Sequence, residues 1–256
     1  MDSTAHQGAY DRGSTIFSPD GRLYQVEYAR EAVDRGAPSV GVVADDCTVL
    51  AARKRVRSPL LEPTSVEKVH AVDDQLAIAS AGHAADARQL VDVARRASQH
   101  HRLRYDEQIG VETLAKRLAD HVQERTQNGG SRPYGAALLV GGADPIGGAT
   151  RPRLFEVDPS GTPYGWNATA VGDGANDVRR FFEAQFADGD EDRDRDRDRD
   201  GSGRRWAIET ALEGLEATTG DDLEPETLEV RTIDSRDGVE ALSSARIGDA
   251  LAEIGS

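Results

Sequence analysis

The chain has 256 residues, enough to bury the core of one sizeable domain or two small ones, and no tandem repeat divides it. Its 46 acidic against 31 Lys and Arg side chains leave a formal charge of −15, which opposes a broad nucleic-acid-binding surface, and no apolar run approaches membrane-spanning length. The start lacks a basic segment followed by an apolar stretch and Cys47 is alone, so an internal disulfide is excluded and a cytoplasmic location is expected.

The first segment is crowded with specified surface: Tyr10-Asp11-Arg12, then Phe17-Ser18-Pro19-Asp20-Gly21-Arg22-Leu23, then Gln25-Val26-Glu27-Tyr28-Ala29-Arg30. Ser18-Pro19-Asp20-Gly21 is a turn signal, because proline presets one backbone angle and glycine tolerates conformations that a side chain disfavours. A helix is expected from Tyr24 to Arg35, with Val26, Ala29 and Val33 on one face and Gly36 and Pro38 as its stop. Strands are expected at Val40 to Val43 and Val49 to Arg53 around Asp45-Asp46, and further on at Val66 to Val69 and Leu76 to Ser80. Gly82 permits a tight change of direction before a helix whose apolar face is Ala87, Leu90, Val91, Ala94 and Ala97.

A second helix of this part is expected over Val111 to Gln127, then strands over Ala136 to Val140, Leu154 to Val157 and Trp166 to Val171, with a turn at Pro159-Ser160-Gly161. Helices follow at Ala175 to Phe186 and Trp206 to Thr218, a strand at Leu228 to Ile233, and a terminal helix within Val239 to Ile254. Between the two later helices, Asp188 to Arg205 includes a run alternating Asp and Arg from Asp192 to Asp200, with no apolar face to hold it against a core, and reads as a charged flexible insertion. Two sheets flanked by helices, of the α/β or α+β class, is the architecture this order suggests.

The stretch from Tyr10 to Val33, YDRGSTIFSPDGRLYQVEYAREAV, closely resembles the start of archaeal proteasome alpha subunits, of the kind found in halophiles. KRVRSPLLE at Lys54 to Glu62, SVEK at Ser65 to Lys68, GHAADAR at Gly82 to Arg88 and RPYGAALLVGG at Arg132 to Gly142 extend the likeness over most of the chain. That resemblance implies an α+β fold, the four-layer αββα sandwich of the N-terminal-nucleophile hydrolase type, with residues 1–36 as an axial gating arm and outer-face helix. Residues 37–256 then form the core, carrying the insertion at 188–205. The acidic composition fits a salt-rich cytoplasm, where screening weakens repulsion between carboxylates, and fits a plain solvated acidic face as well.

Catalytic members of that fold use an N-terminal threonine whose hydroxyl attacks a peptide carbonyl and whose terminal amine helps transfer the proton. The resemblance sets Ala37 at that position, with no oxygen and no free amine, and Ser39 two residues away; a noncatalytic subunit is expected over the alternative, a catalytic threonine-type endopeptidase subunit. Other chemistry is weaker. Ser65-Val66-Glu67-Lys68 fits S-x-x-K spacing without its companion motifs, and His100-His101 with His121 form no compact ligand set, so neither a hydrolase site, a metal nor a cofactor is expected.

What the resemblance implies instead is assembly and gating. Seven alpha subunits form each outer ring, stacked on catalytic beta subunits, and admit unfolded protein substrates for ubiquitin-independent degradation. Tyr10, Asp11, Arg12, Pro19 and Tyr28 fall on the gate positions. Lys68 falls in the pocket that pairs with the terminal carboxylate of a hexameric ATPase's tail, with Gly82 allowing close backbone approach beside it. Read by itself, Lys68 is an ordinary exposed charge.

Overall fold

Alternation along the strands decides the layers of this molecule. The computed structural model describes residues 17–128, 131–146, 149–187, 202–218, 223–234 and 236–254. In β1 (Ser39–Val43), Val40 and Val42 point to one face; in β2 (Cys47–Arg53), Val49 and Ala51 join them, while Leu50 and Ala52 face the other way. The two strands pair antiparallel, Ser39 opposite Ala52, around a turn closed by Ala44 N–H to the Cys47 carbonyl at 2.8 Å. With β8 (Ala168–Val171), β9 (Leu228–Asp234) and β10 (Gly238–Ala241) they form a five-stranded sheet of order β10-β9-β2-β1-β8.

A second five-stranded sheet runs β3-β4-β5-β6-β7: β3 (Val69–Ala71), β4 (Leu76–Gly82), β5 (Ala136–Ile146), β6 (Ala149–Val157) and β7 (Pro163–Trp166). Its outer face, with Leu76, Ile78, Leu138 and Val140, is covered by α2 (Ala84–Tyr105) and α3 (Val111–Gln127) through Leu90, Val91, Leu114 and Leu118. The first sheet is covered by α4 (Ala175–Ala187), α5 (Ser202–Glu216) and α6 (Ser244–Ile254), whose Val178, Phe182, Leu212 and Ile247 belong to one buried apolar cluster with Val40 and Val49. Between the sheets lie Leu50, Ala52, Ala77, Ala79, Ala137, Leu139 and Leu154. The result is the αββα sandwich of the α+β class, with every ladder antiparallel.

The inner layer is thin because small residues line it. A Cβ on Gly41 would sit 2.7 Å from Leu154 Cδ1, so Leu154 and Leu50 occupy the room that glycine leaves. Two buried hydroxyls tie the sheets together: Ser39 Oγ donates to the Ser80 carbonyl at 2.7 Å and Thr48 Oγ1 to the Gly142 carbonyl at 3.1 Å. One helix lies apart from both covering layers. α1 (Tyr24–Asp34) buries Val26, Ala29 and Val33, and Val33 belongs to the inter-sheet cluster, so α1 closes one open end of the sandwich.

Five element expectations need correction, the first being β5, expected to end at Val140, which runs on to Ile146 as the partner of β6. The strand expected over Val66 to Val69 is displaced to Val69–Ala71, because the N–H groups of Lys68 and Val69 bond to Glu229 Oε2 at 2.6 and 2.9 Å instead of to a neighbouring strand. Trp166 to Val171 is two strands in different sheets, the chain crossing at Asn167. β6 begins at Ala149, five residues before the expected Leu154; Pro152 is tolerated because only Leu154 to Val157 pair with β7, leaving that edge free. α5 begins at Ser202, four residues before Trp206, with Arg204 held by Glu240 and Arg205 by Glu209 and Glu253. The run from Asp188 to Gly201, most of the charged insertion, lies outside the described residues.

Candidate functional site

The turn ahead of α1 is locked by its own polar groups. Ser18 accepts Gly21 N–H on its carbonyl at 2.8 Å and Arg22 N–H on its hydroxyl at 3.0 Å, with Pro19 and Asp20 at the exposed corner and Gly21 at φ +77°. Arg22 then grips Glu27 with two hydrogen bonds, Nε at 2.7 Å among them, so turn and helix form one stiff piece. Tyr28 lies on the helix's outer side, 45% exposed. On the same helix Arg30 reaches Asp158 at 2.7 Å, fastening α1 to the turn after β6. Tyr10, Asp11 and Arg12 lie outside the described residues.

At the other end of α1 three glycines stack backbone against backbone. A Cβ on Gly36 would overlap the backbone N of Gly82, and one on Gly82, whose φ is +101°, would overlap the Gly135 carbonyl oxygen. This close approach lets the end of α1, the end of β4 and the start of β5 meet. Beside them opens a cleft of about 900 Å³, walled by the end of α1, the segment before β3 and the first turns of α2. Lys68 and Gly82 both line it; Pro19 and Tyr28 do not.

Lys68 is only partly exposed, and its ammonium donates to the carbonyl of Ala37. Burial lowers its pKa from the ordinary lysine value to about 7, Glu229 pulling it back up and Arg55 adding to the depression. The Glu229 carboxylate is already committed through Oε2 to the backbone N–H groups of Lys68 and Val69. Next to the cleft, Asp86 takes two hydrogen bonds from Arg132, at 2.6 and 2.9 Å, and one from Gly135 N–H at 2.8 Å. Burial opposes its charge, but these donors outweigh burial and hold the carboxyl below its usual range.

No free nucleophile stands at the start of β1. Ala37 is joined through its backbone to Gly36 on one side and to Pro38 on the other, and the Ser39 hydroxyl is fully buried and spent on Ser80. The S-x-x-K pair is not assembled either: Ser65 Oγ donates to the Glu62 carbonyl at 2.6 Å while Lys68 turns to Ala37. His121 is taken by the Tyr134 hydroxyl at 3.2 Å, and among the described residues no group of three or more His, Cys, Asp or Glu could hold a metal ion. Among those residues, too, no helix is long and apolar enough to cross a membrane.

The resemblance singled out Lys68 and Gly82 but said nothing of their setting. The Ala37 carbonyl, Glu229 and the Asp86–Arg132 pair were invisible as partners, since 31, 161 and 46 residues separate the groups that meet. Asp86 lies in GHAADAR and Arg132 opens RPYGAALLVGG, and opposite charges in two such motifs are the one signal that could have suggested the pair.

The model of the family described as proteasome subunit matches residues 33–233, and that of the N-terminal signature of A-type proteasome subunits matches residues 10–32. A proteasome alpha subunit from Natronomonas pharaonis is 51% identical over 255 residues, covering 99% of this chain and 94% of that protein. The proteasome alpha 1 subunit from Haloferax volcanii is 54% identical over 236 residues (91% and 86%), and the proteasome alpha subunit from Haloquadratum walsbyi 58% over 188 residues (73% and 74%). With an alpha-type signature ahead of a β1 whose one hydroxyl at its start, that of Ser39, is buried and bonded, the chain belongs to the proteasome subunit family as a noncatalytic member of its alpha type.

Proposed function

We propose that this chain forms the outer seven-membered ring of a 20S core particle and controls entry to a chamber in which beta subunits cut peptide bonds. In this reading Met1 to Arg12 block the axial entrance, Pro19 and Tyr28 support them, and the cleft around Lys68 and Gly82 receives the C-terminal tail of a hexameric ATPase. Unfolded proteins are the substrates, without ubiquitin, in the salt-rich cytoplasm of a halophile. Residues 1–36 act as the gating unit on a core of residues 37–256.

The observation that carries this reading is the position of α1 between the cleft and the Pro19 turn. Eleven helical residues span about 16 Å. A carboxylate entering beside Lys68 meets the Gly36–Gly82–Gly135 stack, where no side chains cushion one backbone from another. Displacement there passes along α1, and the Ser18–Arg22 and Arg22–Glu27 bonds carry it into the turn. Repeated around a closed ring, a small rotation of each turn widens one common opening.

The test is an assembled particle lacking Thr4 to Arg12. Hydrolysis of long peptides is expected to rise several-fold while that of very short ones changes little, and a tail peptide is expected to stimulate the full-length particle but not a Lys68→Ala particle. Unchanged long-peptide entry in an intact truncated particle would remove the gate from this account.

A further inference from the structure

The cleft carries more positive charge than one docking lysine needs. Lys68, Arg35, Arg55, Arg57, Arg88 and Arg95 line it against the carboxylates of Glu67 and Asp92, in a chain whose acidic side chains outnumber Lys and Arg by 46 to 31. A concavity of the sign opposite to the rest of the surface attracts anions.

These arginines are not equally occupied. Arg35 lies 3.3 Å from Glu31; Arg55 donates to the Arg35 carbonyl at 3.4 Å and lies 3.6 Å from Asp173; Arg95 gives two hydrogen bonds to the Ala71 carbonyl, at 3.1 and 3.0 Å. Among the described residues, the guanidinium groups of Arg57 and Arg88 make no hydrogen bond or ion pair. They come from different walls, Arg57 from the loop after β2 and Arg88 from the second turn of α2, and both are exposed to an arriving group.

We infer that Arg57 and Arg88 form a second anion subsite in this cleft, which takes a carboxylate side chain of the peptide whose terminal carboxylate meets Lys68. The inference rests on the docking reading above and names the partner's chemistry: an acidic C-terminal segment. A guanidinium presents a planar fork matched to a carboxylate, so this subsite selects among tails, and its exposure makes the selection sensitive to salt.

Fluorescein-labelled eight-residue peptides with two glutamates and a free C terminus, and the same peptides with glutamines, test it by anisotropy on the assembled ring at the lowest salt that preserves assembly. The glutamine peptide is expected to bind about three- to tenfold more weakly, the range for a pair of exposed ion pairs. That difference is expected to vanish in the Arg57→Gln/Arg88→Gln ring, which still discriminates against a peptide amidated at its C terminus. Equal binding of the two peptides to the unmodified ring, with amidation still costly, overturns the subsite and leaves docking at Lys68 standing. Amidation without effect overturns the docking reading itself. Equal peptide binding together with loss of the double-variant ring on sedimentation assigns the arginines to a neighbouring copy, which also overturns the proposal.

Discussion

Asp86 and Lys68 are both charged groups drawn partly out of water near Gly82, and they are treated in opposite ways. Asp86 is saturated: a guanidinium fork and a backbone N–H meet its two oxygens, and its pKa falls despite burial. Lys68 meets the neutral Ala37 carbonyl, while Glu229 is held by backbone donors, and its pKa sinks to about 7 under burial. A charge saturated by its own chain is architecture, whereas one whose neighbouring carboxylate is committed to backbone donors has room for a further counter-charge from elsewhere. Gly82 stands between them, and its missing side chain serves both.

The largest effect is expected where both sides depend on one backbone. Gly82→Ala places a methyl against the Gly135 carbonyl oxygen at φ +101°, and about 3 kcal/mol or more of stability is expected to be lost, read as a large drop in Tm or failure to assemble. Asp86→Ala is expected to cost about 2 kcal/mol by leaving the Gly135 N–H unpaired, checked by denaturant unfolding of the same assembly. Lys68→Met sharpens the contrast: stability is expected to change by less than about 1 kcal/mol, because a desolvated cation is removed, yet affinity for a tail peptide is expected to fall about tenfold. A Lys68→Met loss of stability equal to that of Asp86→Ala would make the two sites alike.

The smallest effect is one of pH. With its pKa lowered, Lys68 in the empty cleft is charged below about pH 7 and sheds its proton above it; a docked carboxylate favours the charged form and raises the pKa again. Docking therefore takes up a proton between about pH 7 and the ordinary lysine value of 10.5, and tail affinity is expected to weaken about fivefold from pH 7 to pH 8. Calorimetry in two buffers of different ionisation enthalpy reads the uptake directly. Binding with no proton exchange at pH 8 would mean that Lys68 is already charged there.

Much of the scaffold was legible because its signals are local. The apolar stripe of α3 matches its observed span from Val111 to Gln127, and Val26, Ala29 and Val33 are the buried face of α1. Illegible features were those set by distant groups. Glu229 moves the start of β3, and the switch of sheets at Asn167 splits one apolar run in two, because a continuous run carries no mark of which sheet its halves will join.

The amino-acid order alone determined the alternating strands, the amphipathic helices, the glycines that permit close approach and the absence of a hydroxyl or free amine at Ala37, since each depends on covalent structure or on neighbours within a few residues. Tertiary structure decided that Lys68 loses water beside the Ala37 carbonyl, that Asp86 gains Arg132, and that arginines from separate elements face one cleft. Those are properties of electrostatic environment, and an environment exists only once the folded chain has chosen which groups are brought together and which are left without a partner.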